Sequence, residues 1–156
     1  EFYSLSKTYN MTGWRVGFVA GCRQAVGALA RLKSNLDSGV FGAVQQAAVA
    51  AMRLPPAHLE TLCATYSKRR DVLVEGLRGA GYDPPLPMAT FYVWMPVPGG
   101  DDTAFAARLM EEAGVMVTPG SGFGAAGSGY VRMTLTADEQ RLAEAVDRIR
   151  RAGVGD

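Results

Sequence analysis

The chain has 156 residues, 48% hydrophobic and 20% charged, with 16 basic residues against 15 acidic ones for a net charge of +1. That is the composition of a folded chain with a real core. Its evenly mixed charge excludes a basic nucleic-acid stripe, no apolar run approaches the roughly 18 residues of a membrane helix, and the single His58 excludes a histidine-rich metal site. Cys22 and Cys63 lie far apart with no CxxC, which points to a reducing, cytoplasmic setting. Residues 1–7, EFYSLSK, carry no initiator Met and no signal peptide, so the chain reads as a piece from the middle of a longer protein.

In chain order, residues 2–6 alternate Phe2, Ser4 and Ser6 with Tyr3 and Leu5 and predict a short strand. KTYNMTGWR, residues 7–15, reads as a loop, with Asn10, Gly13 and its threonines suited to unusual backbone angles. VGFVAG is a second short strand. Residues 23–34, with Val26, Leu29, Ala30 and Leu32, predict a helix that NLDSG breaks. VFGAVQQAAVAAM resumes helically with Phe41, Val44, Ala48 and Met52 on one side, and LPP ends it.

The clearest helix is 56–79, where Leu59, Leu62, Tyr66, Leu73 and Leu77 recur at helical spacing and Gly79 and Gly81 close the run. YDPPLPMAT is a turn-rich connector and FYVWMPV a strand. Residues 102–113 predict a helix around Phe105, Leu109 and Met110. GVMVTP reads as a strand, GSGFGAAGSG as a glycine-rich loop and YVRMTLT as a strand. Residues 137–152 form a last helix with Leu142, Val146 and Ile149 inward and Asp138 and Glu139 in its first turn.

The stretch SLSKTYNMTGWRVG carries the chemistry. A loop lysine is ordinarily a solvated charge, and an arginine eight residues later is ordinarily its neighbour's ion-pair partner. Here Lys7 has hydroxyls one and three residues before it, and Arg15 lies between Gly13 and Gly17. Small hydroxyls, backbone N–H groups and a guanidinium are what a phosphate dianion needs. A lysine beside such a cradle can bond covalently to an aldehyde cofactor.

This stretch resembles the pyridoxal-phosphate lysine motif of the class I/II, fold-type I aminotransferases. The resemblance implies that Lys7 bonds the cofactor and then moves a proton between the substrate's α-carbon and the cofactor's C4′. Ser4 and Arg15 would hold the phosphate, with Ser6 a further candidate, while Tyr9, Met11 and Trp14 pack around the loop. TFYVWMPV is similar to the family's small-domain strand. GVMVTPGSGFGAAGSGYVRMTLT is similar to the segment ending in its substrate-carboxylate arginine, here Arg132. Val131 and Met133 would face away from that arginine; the ordinary alternative is a surface salt bridge. PGSGFGAAGSG is not a dinucleotide motif, because it lacks the strand–helix frame.

The implied fold is α/β, the C-terminal part of a fold-type I transferase. Residues 1–55 would end the cofactor-binding large domain, 56–81 would be an interdomain helix, and 82–156 a small C-terminal α+β domain. RLKSNLDSGVFGAVQQAA and the motifs above look most like the LL-diaminopimelate aminotransferase branch, with Ser128 where that branch carries an acidic residue. The implied reaction moves an amino group between LL-2,6-diaminopimelate and 2-oxoglutarate. Aspartate, alanine or N-succinyldiaminopimelate transamination is the alternative, and a reading of another class is an aminotransferase-like ligand-binding domain of a transcription regulator. The implied partners are small amino and 2-oxo acids and a second subunit, with no nucleic acid or membrane. Asp37 or Ser38 either reaches into the neighbouring subunit's site or caps the next helix. The family's pyridine-nitrogen aspartate, stacking aromatic and phosphate loop are not among these motifs, so the 156 residues alone are expected not to catalyse transamination.

Overall fold

The structure, a computed structural model, describes residues 1–153. It falls into two compact units that divide after Thr61.

In the first unit, β1 (Phe2–Ser4) pairs antiparallel with β2 (Gly17–Val19), Phe2 opposite Val19 and Ser4 opposite Gly17. The strands close tightly at Gly17, where a Cβ would lie 2.3 Å from the Tyr3 carbonyl oxygen. The predicted strand over residues 2–6 stops at Ser4, and Lys7 lies on a single helical turn, α1 (Leu5–Thr8), rather than in a loop. The reason is local: the Ser4 hydroxyl accepts from the Ser6 N–H at 3.2 Å, and the Tyr9 N–H closes on the Leu5 carbonyl. A capping serine thus overrides strand alternation.

Helices α2 (Arg23–Lys33) and α3 (Gly42–Met52) follow. The predicted inward stripe of α3 is only partly realised. Ala48 is buried and Val44 half-buried, whereas Met52 is exposed and Phe41 stands at the N-cap position, 76% exposed. Leu5, Met11, Val16 and Ala48 form a small core, flanked by Tyr9, Val40, Val44, Ala47 and Ala51. Phe2, Tyr3 and Phe18 remain exposed, Tyr3 and Phe18 stacked at 4.9 Å.

Helix α4 (Pro56–Gly79) begins with proline at its first position and contains the division between the units. Its buried residues are Leu73, Val74 and Leu77; Leu59 and Leu62 are half-buried.

The second unit holds a three-stranded antiparallel sheet in the order β3–β5–β4, from β3 (Tyr92–Pro96), β4 (Thr118–Pro119) and β5 (Tyr130–Thr134). It also holds α5 (Asp102–Ala113) and α6 (Glu139–Ala152). Of GVMVTP only two residues pair as a strand, because the Val115 N–H turns back to the Leu109 carbonyl as the chain leaves α5 through left-handed Gly114. Asp101 caps α5, accepting from the Ala104 N–H. Asp138 caps α6, accepting from the Arg141 N–H, so it precedes that helix rather than sitting in its first turn.

Leu73, Leu77, Val93, Met95, Leu109, Val131, Leu135, Val146 and Ile149 belong to one continuous core. Each fully buried aliphatic side chain there contributes about 1.5–3 kcal/mol. Helices α4 and α6 cross closely, since a Cβ on Gly76 would lie 2.8 Å from a Val146 methyl.

Candidate active site

The first unit assembles the lysine motif by backbone folding. β1–β2 register continues past the strands as Leu5 N–H to the Val16 carbonyl at 3.3 Å, which sets Arg15 across from the Ser6–Lys7 turn. The intervening chain folds back on α1. The Met11 N–H reaches the Leu5 carbonyl, the Thr12 hydroxyl donates to the Ser6 carbonyl at 3.1 Å, and Arg15 Nη1 donates to the Thr12 carbonyl at 3.0 Å. Ser4, Ser6, Thr12 and Arg15 are therefore linked in one hydrogen-bonded circuit around the base of Lys7. Leu5, Met11 and Val16 fasten it from below. Tyr9 packs against that cluster as expected, but Trp14 does not pack: it stands half exposed.

Arg15 occupies left-handed backbone space, φ 49° and ψ 49°. A long β-carbon-bearing residue adopts it at a cost, and such outliers concentrate where a side chain must be aimed. Asn10, at φ 53°, shares this geometry more cheaply. Among the described residues no carboxylate lies within ion-pairing distance of Arg15, so none of them supports the ion-pair alternative. Lys7 is exposed at the last turn of α1, and Ser6 is buried. The Ser4 hydroxyl uses a lone pair for capping and keeps its proton to donate. This donor set fits a phosphate dianion beside a primary amine, the two ends of pyridoxal phosphate that a protein must grip.

Asp37 and Ser38 lie apart from this circuit in sequence and bonding. Neither caps α3, whose N-cap position is Phe41. Asp37 accepts from Lys33 Nζ at 2.6 Å and from the Gly39 N–H at 2.7 Å, and the lysine first, then the Gly39 amide, lower its pKa.

In the second unit, β5 alternates as its sequence requires. Val131 and Met133 point into the core, and Arg132 points the other way, half-buried. Arg132 pairs across the ladder with Trp94. Its guanidinium lies 4.3 Å from the centre of the Tyr92 ring and 4.4 Å from that of Phe123, held between two aromatic faces. Trp94 stacks on Tyr130 at 5.8 Å and meets Phe123 edge-on at 5.7 Å, completing an aromatic wall around the cation. Among the described residues Arg132 has no carboxylate partner, so none of them supports the salt-bridge alternative. A planar cation so held, with its hydrogen-bonding edges unclaimed by acids, suits a carboxylate from outside.

The glycine-rich segment that supplies Phe123 forms two 3-10 turns, Gly120–Phe123 and Ala125–Gly127, rather than an open loop. Gly120 and Gly127 touch backbone to backbone, a Cβ on either lying 2.1 Å from the other's carbonyl oxygen. The segment is also tied to α5. Buried Asp102 accepts from the Ser121 N–H at 2.6 Å and from the Ser121 hydroxyl at 3.1 Å. The Ser121 N–H holds the Asp102 carboxyl below its ordinary range; burial opposes this, and the Ser121 and Thr103 hydroxyls add to it. Asp102, Tyr92 and Phe123 went unnoticed as site residues in the sequence. Alternation along β3 could have flagged Tyr92, which shares the Arg132 face.

The chain belongs to the aminotransferase class I and II family, whose model matches residues 1–149. Members of this family are pyridoxal-phosphate-dependent. It is 54% identical over 151 residues to an LL-diaminopimelate aminotransferase of Desulforudis audaxviator, covering 96% of this chain and 38% of that protein. A substrate-bound BacF structure from Bacillus subtilis superposes with a TM-score of 0.92 at 37% identity, over 97% of this chain and 39% of that one. A probable N-succinyldiaminopimelate aminotransferase from Thermus thermophilus superposes with a TM-score of 0.87 at 38% identity, over 97% of this chain and 41% of that one. The fold is accordingly part of a fold-type I aminotransferase, and the chain spans about two-fifths of the length of the relatives it matches.

Proposed function

We propose that these residues serve a pyridoxal-phosphate-dependent aminotransferase acting between LL-2,6-diaminopimelate and 2-oxoglutarate in lysine biosynthesis. The observation that carries the reading is Arg15, held in left-handed conformation beside the Lys7 turn and not neutralised by any described carboxylate. The substrate assignment draws support from the 54% identity to an LL-diaminopimelate aminotransferase. The N-succinyldiaminopimelate alternative draws on the Thermus structure, at 38% identity.

In this reading the first unit ends the cofactor-binding domain and the second is the small C-terminal domain. Arg15 and the Ser4 hydroxyl bind the phosphate, with the buried Ser6 supporting the turn. Pyridoxal phosphate, when bound, supplies the aldehyde that accepts the amino group and the ring that takes up an electron pair. Lys7 is the residue that would hold the cofactor's aldehyde carbon through Nζ, with water expelled as that bond forms; once the substrate's amine displaces it, the freed Nζ would be the base that carries a proton between the substrate's α-carbon and C4′. Arg132 binds the α-carboxylate between its two rings and so fixes the direction of the α-proton. The proposed assembly is a cytoplasmic homodimer, a setting that suits the exposed free thiols of Cys22 and Cys63. Asp37 is already bonded to Lys33 and Gly39, and Ser38 is the residue proposed to reach a second subunit.

The test is chemical. The full-length protein is loaded with pyridoxal phosphate, reduced with borohydride and digested. The reading expects the adduct on the Lys7 peptide; an adduct confined to Lys33 or Lys68 removes its core.

A further inference from the structure

Arg132 alone does not make a carboxylate receptor. A guanidinium on a five-residue strand has several free torsions, and its hold on an anion depends on how far those are fixed before binding. One of the two rings that fix it, Tyr92, is on the neighbouring strand β3 and moves with the sheet. The other, Phe123, is on a 3-10 turn outside the sheet, 54% exposed, and has no ladder to hold it. What anchors that turn is Asp102. This residue is 4% exposed and stands in the first turn of α5, and its carboxylate takes both the amide and the hydroxyl of Ser121, two residues before Phe123. Buried carboxylates are rare and costly unless fully engaged. Asp101 already caps α5 through the Ala104 N–H, so helix capping does not account for a second aspartate turned inward.

We propose that Asp102 is a positioning residue for substrate-carboxylate recognition, tethering the glycine-rich turn through Ser121 so that Phe123 stays against the Arg132 guanidinium. The tether acts at one remove and touches no ligand itself. It rests on the reading of Arg132 as the carboxylate receptor. The mutual approach of Gly120 and Gly127 makes the turn stiff enough to transmit the anchor, since the segment cannot bend between them without parting two backbones in contact. With the anchor cut, the turn keeps its shape but loses its seat on α5, and the ring drifts from the cation.

The experiment uses the full-length, cofactor-loaded protein labelled with 5-fluorotryptophan. Trp94 touches Phe123, so its fluorine resonance reports the position of the ring, and a Trp94→Phe variant assigns it by the loss of one resonance. Glutarate, a dicarboxylate that cannot react, is titrated into wild type and into Arg132→Ala, Asp102→Ala, Asp102→Asn, Ser121→Ala and Phe123→Leu. The expected result is a loss of glutarate affinity of about tenfold in Asp102→Ala and in Phe123→Leu, the scale of one lost cation–ring contact. Ser121→Ala and Asp102→Asn, which each keep one of the two bonds, lose less. The Trp94 resonance should shift in Asp102→Ala before any glutarate is added, while the cofactor absorption stays as in wild type. If Asp102→Ala fails to fold, Ser121→Ala decides by the same two readings. If Arg132→Ala weakens glutarate but the Asp102 and Ser121 variants bind as wild type, the positioning role is overturned and the receptor stands. Unchanged affinity in Arg132→Ala overturns the receptor and the tether together.

Discussion

Replacing Arg15 by glycine and by alanine should separate the cost of its backbone from the use of its side chain. The left-handed conformation, φ 49°, costs a residue with a Cβ about 1–2 kcal/mol and costs glycine almost nothing. Glycine gives back about 0.5–1 kcal/mol through the greater freedom of its unfolded chain. Both variants lose the exposed hydrogen bond to the Thr12 carbonyl, about 0.5–1 kcal/mol. Arg15→Ala should therefore fall about 0.5–1 kcal/mol below wild type, and Arg15→Gly should sit within about 0.5 kcal/mol of it. Cofactor binding should move otherwise. Both variants lose the charge-assisted bonds to the phosphate, about 3 kcal/mol together, so both should bind pyridoxal phosphate roughly two orders of magnitude more weakly. Denaturant unfolding of the cofactor-free protein gives the first quantity, and absorption titration of the cofactor gives the second. The reasoning fails if glycine proves no more stable than alanine, or if either variant holds the cofactor within threefold of wild type.

Arg132→Lys keeps the charge but loses the planar fork and its fit between Tyr92 and Phe123, so steady-state assays should show KM for both the amino acid and the 2-oxo acid raised about tenfold or more, with the cofactor spectrum unchanged; loss of cofactor, as for Arg15, would merge two roles kept separate here. Gly17→Ala drives a Cβ to 2.3 Å from the Tyr3 carbonyl, where no flexible side chain can yield, and should cost about 3 kcal/mol or more with amide protection lost across β1 and β2. Gly13→Ala is its control: a Cβ there meets nothing within 4 Å, and stability should change by no more than about 0.5 kcal/mol.

Much of this was legible in the sequence because the informative residues carry their chemistry with their spacing. Val131 and Met133 announced the inner face of β5 and thereby the outward direction of Arg132. The apolar spacing over residues 56–79 matches the bounds of α4. Errors arose where a single hydrogen bond outweighed a pattern. The Ser4 cap turned a strand ending into the helical turn that presents Lys7. The amide of Val115, spent on the exit of α5, shortened an apolar run that looked like a strand to two paired residues. Asp102 was invisible for a different reason. An acidic residue in the first turn of a helix satisfies the dipole wherever it points, and only the fold reveals that this one points inward at Ser121. Phe123 reaches Arg132 across a turn of no regular period, so no alternation rule could have joined them.

The contact between Gly120 and Gly127 also limits how this segment can change over time. Each carbonyl occupies the space where the other residue's side chain would begin, so neither position can be varied alone, and altering the second cannot rescue the first. A combinatorial library across the turn would find these two positions immovable. Gly122 between them is different: a side chain there would meet open space, beside Phe123. Novelty in what lies against the aromatic wall can therefore enter at Gly122 while the clasp on either side keeps the turn's shape.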